Sequence, residues 1–242
     1  MGLTCDQVAR LSVRTEVVSV IDGYPRWRMI VILFGLAVVA AAQVKPVTPG
    51  ATIEGNDFVS TEMPKLRVTP DPKLTYIGSF PFDIDGIAGG YRFVWGEVDN
   101  RKHLLRTFII QKEGFYLNSG GSYQYQAPNP VALGNHAYQH NVFIADNERE
   151  IREHPGHEPD VTQKFLHSKG YDWDTQLVMS RFARVVDEAK KNEIIFFYTE
   201  NLSAHTTKSA DDLDSGDANQ ELKQKIKRAV DANSMRAFKV VD

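Results

Sequence analysis

The 242-residue sequence has a single cysteine and no excess of basic residues. One thiol cannot form a disulfide within the chain, and it excludes zinc or iron–sulfur sites built from several cysteines. Lysine and arginine number 28 against 31 aspartate and glutamate residues, which gives a formal net charge of −3. Since nucleic-acid-binding proteins normally carry a basic excess, we expect no nucleic-acid partner. A hydrophobic content of 42% with 24% charged residues excludes collagen-like and wholly disordered chains.

Long hydrophobic runs are also scarce, and the one extended run is IVILFGLAVVAAA at residues 30–42. Arg26 and Arg28 precede this run, and three alanines end it. A positive segment, an apolar core and small residues at the end are typical of a secretory signal peptide. The run is shorter than the roughly 20 apolar residues that cross a bilayer. We therefore predict a signal peptide over residues 1–42, cleavage after Ala42, and a periplasmic or secreted protein without a stable membrane anchor.

The translation start has two candidates. A start at Met1 places a long segment ahead of the apolar run, whereas a start at Met29 discards both arginines. The sequence leaves both open. Cys5 lies within the predicted signal peptide, so the mature protein would contain no thiol and no thiol chemistry.

The next segment, residues 43–73, is rich in proline and shows no sustained periodicity, so we expect an extended leader. From residue 74 onward the pattern is typical of strands. Residues 91–98 and 104–111 are rich in aromatic and β-branched side chains, and the polar residues between them favour a turn, which predicts a hairpin. Further strands are expected near residues 76–84, 123–126, 137–144 and 193–198.

Helical patterns occur in the second half of the chain. Helices are predicted at residues 161–169, capped by Asp160 and ended by Gly170, and at residues 219–232. Residues 176–186 fit either a helix or a strand paired with 193–198, and their valines favour the hairpin. Phe238 and Val240 indicate a last strand. Together these patterns predict a single α+β domain over residues 74–242, a curved, mainly antiparallel sheet packed with a few helices.

The two strands of the firm hairpin are apolar on both faces, so each face of the sheet needs a cover. A helix layer provides one kind of cover, and a strongly curved sheet, which often encloses a ligand, provides another. Tyr91 and Trp95 lie on one face of the first strand. Gln111 and Glu113 lie near the end of the second strand, where they could line the mouth of a pocket.

Arg106 is the one charged residue in the interior of the second strand. A buried guanidinium requires a carboxylate or an anionic ligand group, whereas at a sheet edge it would extend to water. Tyr123 and Tyr125 alternate and offer two aromatic surfaces on one side. The candidate ligand-binding residues are therefore Tyr91, Trp95, Arg106, Tyr123 and Tyr125. We expect an exported, non-enzymatic protein that needs no cofactor and binds a small amphipathic or anionic ligand between sheet and helices.

Several histidines cluster in the sequence and support an alternative hypothesis. Imidazoles next to carboxylates suit zinc or copper, and the residues concerned are His136, His140, His154 and His157. HAYQH, however, lacks the glutamate of the H-E-x-x-H motif, and no serine elbow, phosphate loop or EF-hand pattern is present. A metal-dependent hydrolase using these histidines is one alternative, and a cell-envelope interaction module is another.

The segments YRFVWGEVDNRKHLLRTFIIQKEGFY and EIIFFYTENL resemble secreted bacterial proteins that have no assigned function. The resemblance covers residues 74–200 and rests on no short motif. It implies a bacterial, exported protein and transfers no activity or site residue. The apolar strands also invite comparison with lipocalin-like barrels, but Gly89-Gly90-Tyr91 stands where the G-x-W of that family would be.

Overall fold

The computed structural model describes residues 50–125 and 130–241, so the predicted signal peptide lies outside the described residues. Contacts divide the chain into two units, Met1–Ala42 and Gln43–Asp242, and everything described below belongs to the second. Its described residues form eleven strands, arranged in two antiparallel sheets, and four α-helices. The predicted α+β class with mainly antiparallel strands is confirmed.

The elements follow one another along the chain as follows. The strands are β1 (Ala51–Glu54), β2 (Asp57–Ser60), β3 (Leu66–Pro70), β4 (Thr75–Ile84), β5 (Ala88–Val98), β6 (Leu104–Phe115), β7 (Val131–Leu133), β8 (His136–Asp146), β9 (Gln176–Val185), β10 (Asn192–Asn201) and β11 (Phe238–Val241). The helices are α1 (Asn147–Glu153), α2 (Glu158–Ser168), α3 (Ala210–Leu213) and α4 (Asp217–Ser234). None of these described helices has the length and apolar character needed to cross a membrane.

The small sheet has the strand order β1-β2-β3-β11, and the large sheet has the order β4-β5-β6-β10-β9-β8-β7. The predicted β5–β6 hairpin is confirmed, with Trp95 opposite Phe108. Asp99 closes its turn, because its Oδ1 accepts from the main-chain amides of Arg101 (2.8 Å) and His103 (2.9 Å). Of the ambiguous residues 176–186, residues 176–185 form β9, which pairs with β10 in the predicted hairpin.

One face of the large sheet packs against the small sheet and α4, and this interface is the main core. Phe108 and Phe238 stack across it with ring centroids 4.5 Å apart. The α4 stripe buries Ile226 and Val230 against the same core. Because burial of each such side chain contributes roughly 1.5–3 kcal/mol, this interface ties the C-terminal elements to the sheet.

The opposite face of the large sheet is covered by α2. Leu166 is fully buried in a second, smaller core, and the rings of Phe165 and Phe80 lie 4.5 Å apart. Helix α2 begins at Glu158 rather than after Asp160, which was expected as its cap. Asp160 instead accepts from the amide of Gly156 (2.8 Å) and from Lys164 (2.7 Å) within the first turns.

The prediction of an extended leader over residues 43–73 is wrong for residues 51–70, which form β1, β2 and β3. Phe58 and Val68 are fully buried there and belong to the main core. These strands are four or five residues long, too short for a clear alternation. Strand β3 pairs with β11 from the far end of the chain, a contact that local patterns cannot reveal.

The prediction of a strand near residues 123–126 is also wrong for residues 123–125, which the structure describes. Residues 123–125 have no regular secondary structure, although their side chains lie against the large sheet. Helices α1 and α3 and strand β7 were not predicted. All three are short, with lengths of seven, four and three residues.

Candidate functional site

A cleft of about 380 Å³ opens where β6 begins and β5 and β10 end, beside the end of α4 and the β3–β4 connection. Its volume falls in the range of small-molecule sites, about 300–1,000 Å³. The lining residues are Asp71, Lys73, Glu97, Leu105, Arg106, Tyr198, Glu200, Asn233 and Arg236. Charged and polar side chains therefore dominate this cleft, and Leu105 is the one aliphatic side chain among these nine.

Arg106, the embedded charge noted in the sequence, lies in this cleft and is held by carboxylates. Its Nε donates to Glu97 Oε2, and its Nη2 lies 3.3 Å from Asp71 Oδ2. Burial by itself lowers the pKa of Arg106, but hydrogen bonds with Tyr198 and Glu97 outweigh it and raise this pKa above its usual value. The guanidinium is therefore a permanent charge whose partners belong to the protein itself.

Glu200 is the centre of a second set of hydrogen bonds in the cleft. Its Oε1 accepts from the Tyr198 hydroxyl (2.6 Å) and from Asn233 Nδ2 (2.9 Å). Its Oε2 lies 2.8 Å from His205 Nε2. Burial raises the pKa of Tyr198, so its hydroxyl remains a neutral donor. Both oxygens of Glu200 are thus engaged within the protein.

Two cations of the cleft, Lys73 and Arg236, have no ion-pair partner among the described residues, and we call them the uncommitted cations. Within the described part of the chain, neither Lys73 nor Arg236 forms an ion pair, and Arg236 Nη2 donates to the neutral Asn233 Oδ1 (2.8 Å). The Lys73 amide donates to Asp71 Oδ1 (2.8 Å), and this bond, together with the Arg106 charge, lowers the pKa of Asp71. Arg106 therefore binds both Asp71 and Glu97, while Lys73 and Arg236 have no carboxylate partner in direct contact and can meet an outside anion.

Tyr123 and Tyr125 lie away from the cleft, on the face of the large sheet that α2 covers. The Tyr123 hydroxyl donates to Glu113 Oε1 (2.7 Å), and the Tyr125 hydroxyl donates to Glu193 Oε2. Arg181 Nη2 donates to the Tyr125 hydroxyl (2.9 Å). Glu113 and Glu193 are directly opposite each other on β6 and β10, so their side chains are neighbours on the same face of the sheet.

Two carboxyl groups that are buried side by side repel each other unless one of them carries a proton. Both residues are buried, with 9% of Glu113 and 3% of Glu193 exposed. Burial and the neighbouring Glu113 carboxyl group raise the pKa of Glu193 to about 9. Glu193 is therefore protonated at neutral pH, and its proton can be shared with Glu113.

Arg92 extends this polar cluster along the same face of the sheet to β5 and α2. Its Nε donates to Gln111 Oε1 (2.5 Å), and Gln111 Nε2 donates to Glu113. Its Nη1 donates to Thr162 Oγ1 (2.6 Å) and to the carbonyl oxygen of Glu158 (3.0 Å) on α2. Together with Glu193 and Arg181, these residues form a polar cluster that spans four strands of the sheet, β5, β6, β10 and β9.

The remaining aromatic candidates are part of the core. Trp95 is fully buried and donates from Nε1 to the carbonyl oxygen of Asn56 (3.0 Å). Tyr91 is half-buried and packs against the same core. Neither lines the cleft, so the five predicted residues occupy three separate places.

The four histidines of the metal hypothesis are not brought together. His136 and His140 lie on β8, and His140 Nε2 is 2.9 Å from Ser180 Oγ and 3.3 Å from Asp231 Oδ1 of α4. His154 and His157 stack between α1 and α2, with ring centroids 5.3 Å apart. Over residues 50–125 and 130–241, no group of three or more His, Cys, Asp or Glu side chains is placed to hold a metal ion.

Comparisons with models of known families, with curated proteins and with solved structures find no match. Because a fold does not determine a function, we argue the function from the chemistry of the site.

Sequence reasoning missed Lys73, Arg236 and Glu193. Glu193 had a recognisable signal, since it opens an otherwise apolar strand, NEIIFFY. Lys73 and Arg236 had none, because isolated cations in turns are common and their proximity depends on the pairing of β3 with β11.

Proposed function

We propose that this protein is an exported binding protein that holds a small anionic ligand in the cleft between the large sheet and α4. The observation that carries the proposal is the pair of uncommitted cations, Lys73 and Arg236, beside carboxylates whose direct ion-pair partner is Arg106. Hydrogen bonds from such cations to carboxylate or phosphate oxygens are among the stronger polar contacts in proteins. The export follows from the apolar run at residues 30–42 and its flanking residues.

Arg106 acts as a positioning residue in this proposal. Its guanidinium bridges Glu97 and Asp71, and it thereby joins β5 and β6 to the β3–β4 connection that carries Lys73. The ligand is anionic rather than amphipathic, since Leu105 is the one aliphatic side chain of the described lining. The proposal also includes the shape of the large sheet: the sheet is curved, and the ligand lies against its curved surface.

The affinity for small anions should depend on both uncommitted cations. Isothermal titration at low salt would use inorganic phosphate, citrate and glucose 6-phosphate as probes, because salt screens exposed charges. We expect at least one probe to bind. Lys73→Ala or Arg236→Ala should each weaken that binding about ten- to a hundredfold, since a charged hydrogen bond contributes about 1.5–3 kcal/mol.

Arg228→Ala provides the matched control. Arg228 is an exposed arginine on α4 outside the cleft lining, so its removal changes the net charge equally. Equal affinities of the Arg236→Ala and Arg228→Ala proteins, or no heat with any of the three anions, would refute an anion site at this place.

A further inference from the structure

Residues 116–125 follow β6 without regular secondary structure, and we call them the strap. Tyr116 fixes the first end of the strap. Its amide donates to the carbonyl oxygen of Ile87 (2.9 Å), and its hydroxyl donates to Asp83 Oδ2 (2.6 Å). Beyond this residue, the Tyr123 amide donates to the carbonyl oxygen of Lys190 (2.8 Å).

The rest of the attachment is made by side chains. The hydroxyls of Tyr123 and Tyr125 donate to Glu113 and Glu193, and the ring of Tyr123 packs against Phe115 with centroids 4.5 Å apart. Each phenol thus lies against one member of the carboxyl pair, and Glu113 and Glu193 are both buried. The carboxyl pair and the strap therefore depend on each other.

We propose that the strap is a pH-sensitive clasp. One proton shared between Glu113 and Glu193 keeps the strap closed, and loss of this proton to solvent releases the strap. With the proton present, the two carboxyl groups attract each other and carry one negative charge. Without it, two carboxylates would repel each other in a buried site, where charges are poorly solvated. Movement of the Tyr123 and Tyr125 phenols away from the pair would open it to water.

The charges that face the pair support a single proton. Arg92 reaches it from β5 through Gln111, and Arg181 reaches it from β9 through the Tyr125 hydroxyl. Glu158 of α2 has its Oε1 3.9 Å from Arg92 Nη2. These two arginines balance the two carboxylates of Glu113 and Glu158, so ionisation of Glu193 would add an unbalanced negative charge.

The remaining titratable groups near the pair belong to the strap and its turn. Lys191 binds the main chain of the strap at the carbonyl oxygen of Gly121 rather than the carboxyl pair. Burial raises the pKa of Tyr123 and of Tyr125, so both hydroxyls remain donors above the usual pKa of a phenol.

The direction of the pH dependence follows from proton linkage. In the closed strap the pKa of Glu193 is about 9, whereas a hydrated pair would titrate near the ordinary acid range. The closed form therefore binds the proton more tightly, and closure weakens as the pH rises. Between the two pKa values, the ratio of open to closed strap rises about tenfold per pH unit.

The strap can be followed by nuclear Overhauser effects between the ring protons of Phe115 and Tyr123, in the wild type and in Glu193→Gln. We expect the wild type to show them at pH 6 and to lose them at pH 10. The variant should keep them at both pH values, because its amide does not titrate. That amide can donate to Glu113 and accept from the Tyr125 hydroxyl, as the protonated carboxyl group does in the wild type.

An internal control separates release of the strap from unfolding. The rings of Tyr76 and Trp95 lie 5.0 Å apart in the main core, and their Overhauser effect should be present in both proteins at both pH values. A wild-type strap that stays closed at pH 10, or a variant that opens like the wild type, would overturn the proposal. Should the variant fail to fold, a ¹³C titration of the wild-type Glu193 carboxyl decides, and a pKa near 4 contradicts the clasp.

Discussion

Replacement of Arg92 by methionine is expected to lower the free energy of unfolding by about 3–5 kcal/mol, the range found when one partner of a buried charged network is removed. Its guanidinium is buried and donates to Gln111 and Thr162 across two elements. Methionine fills much of the same space but donates nothing, so both acceptors and the carbonyl oxygen of Glu158 would lose a partner. Urea unfolding of the two proteins measures the difference.

Two further variants show whether the network or the charge is responsible. Arg92→Lys keeps the charge but cannot reach Gln111 and α2 with one planar fork, so an intermediate loss is expected. Arg149→Met removes an exposed arginine paired with Asp211 (3.0 Å) and should cost less than about 1 kcal/mol. If Arg92→Met costs no more than Arg149→Met, the buried hydrogen-bond chain does not stabilise the sheet.

Glu193→Gln is expected to make the protein more stable than the wild type at neutral pH, and the gain should grow with pH. The pKa of Glu193 is raised to about 9 in the folded protein, against about 4.3 in an unfolded chain. Below the unfolded pKa the proton is bound in both states, and the stabilising contribution is fully present. As the pH rises towards the folded pKa, unfolding releases the proton, and wild-type stability falls by up to about 1.4 kcal/mol per pH unit.

Unfolding in urea at pH 5, 7 and 8 would measure this dependence. The glutamine variant lacks the titrating group, so the difference between the two proteins should increase steadily over this range. Glu188→Gln serves as the control, because Glu188 is exposed in the turn between β9 and β10 and should leave the wild-type pH dependence unchanged. Parallel curves for the wild type and Glu193→Gln would show that Glu193 titrates normally in the folded protein.

The elements that local patterns determine could be predicted from the sequence. The β5–β6 hairpin has aromatic and β-branched strands around an aspartate-led turn, and α4 has an apolar stripe at helical spacing. The small sheet could not be predicted in the same way. Strands β1 to β3 are short, and they gain their stability from β11 and from burial of Phe58 against the large sheet.

One residue of the candidate site could be predicted from the sequence. Arg106 stood out because a charge inside an apolar strand needs a partner, and the structure places that residue in the cleft. Its partners and the two uncommitted cations come together through a non-local contact, in which the Asp71 amide donates to the carbonyl oxygen of Ala237 (2.7 Å). The carboxyl pair likewise joins Glu113 and Glu193, which only the register of β6 and β10 brings together.

Native mass spectrometry of the protein recovered from the periplasm tests the proposed binding function most directly. The wild type would be compared with the Lys73→Ala/Arg236→Ala double variant, prepared in the same way. We expect the wild type to carry a small anionic molecule that is released on activation and is missing from the double variant. A wild type that emerges without such a molecule, or an identical adduct on both proteins, would contradict anion binding in the cleft.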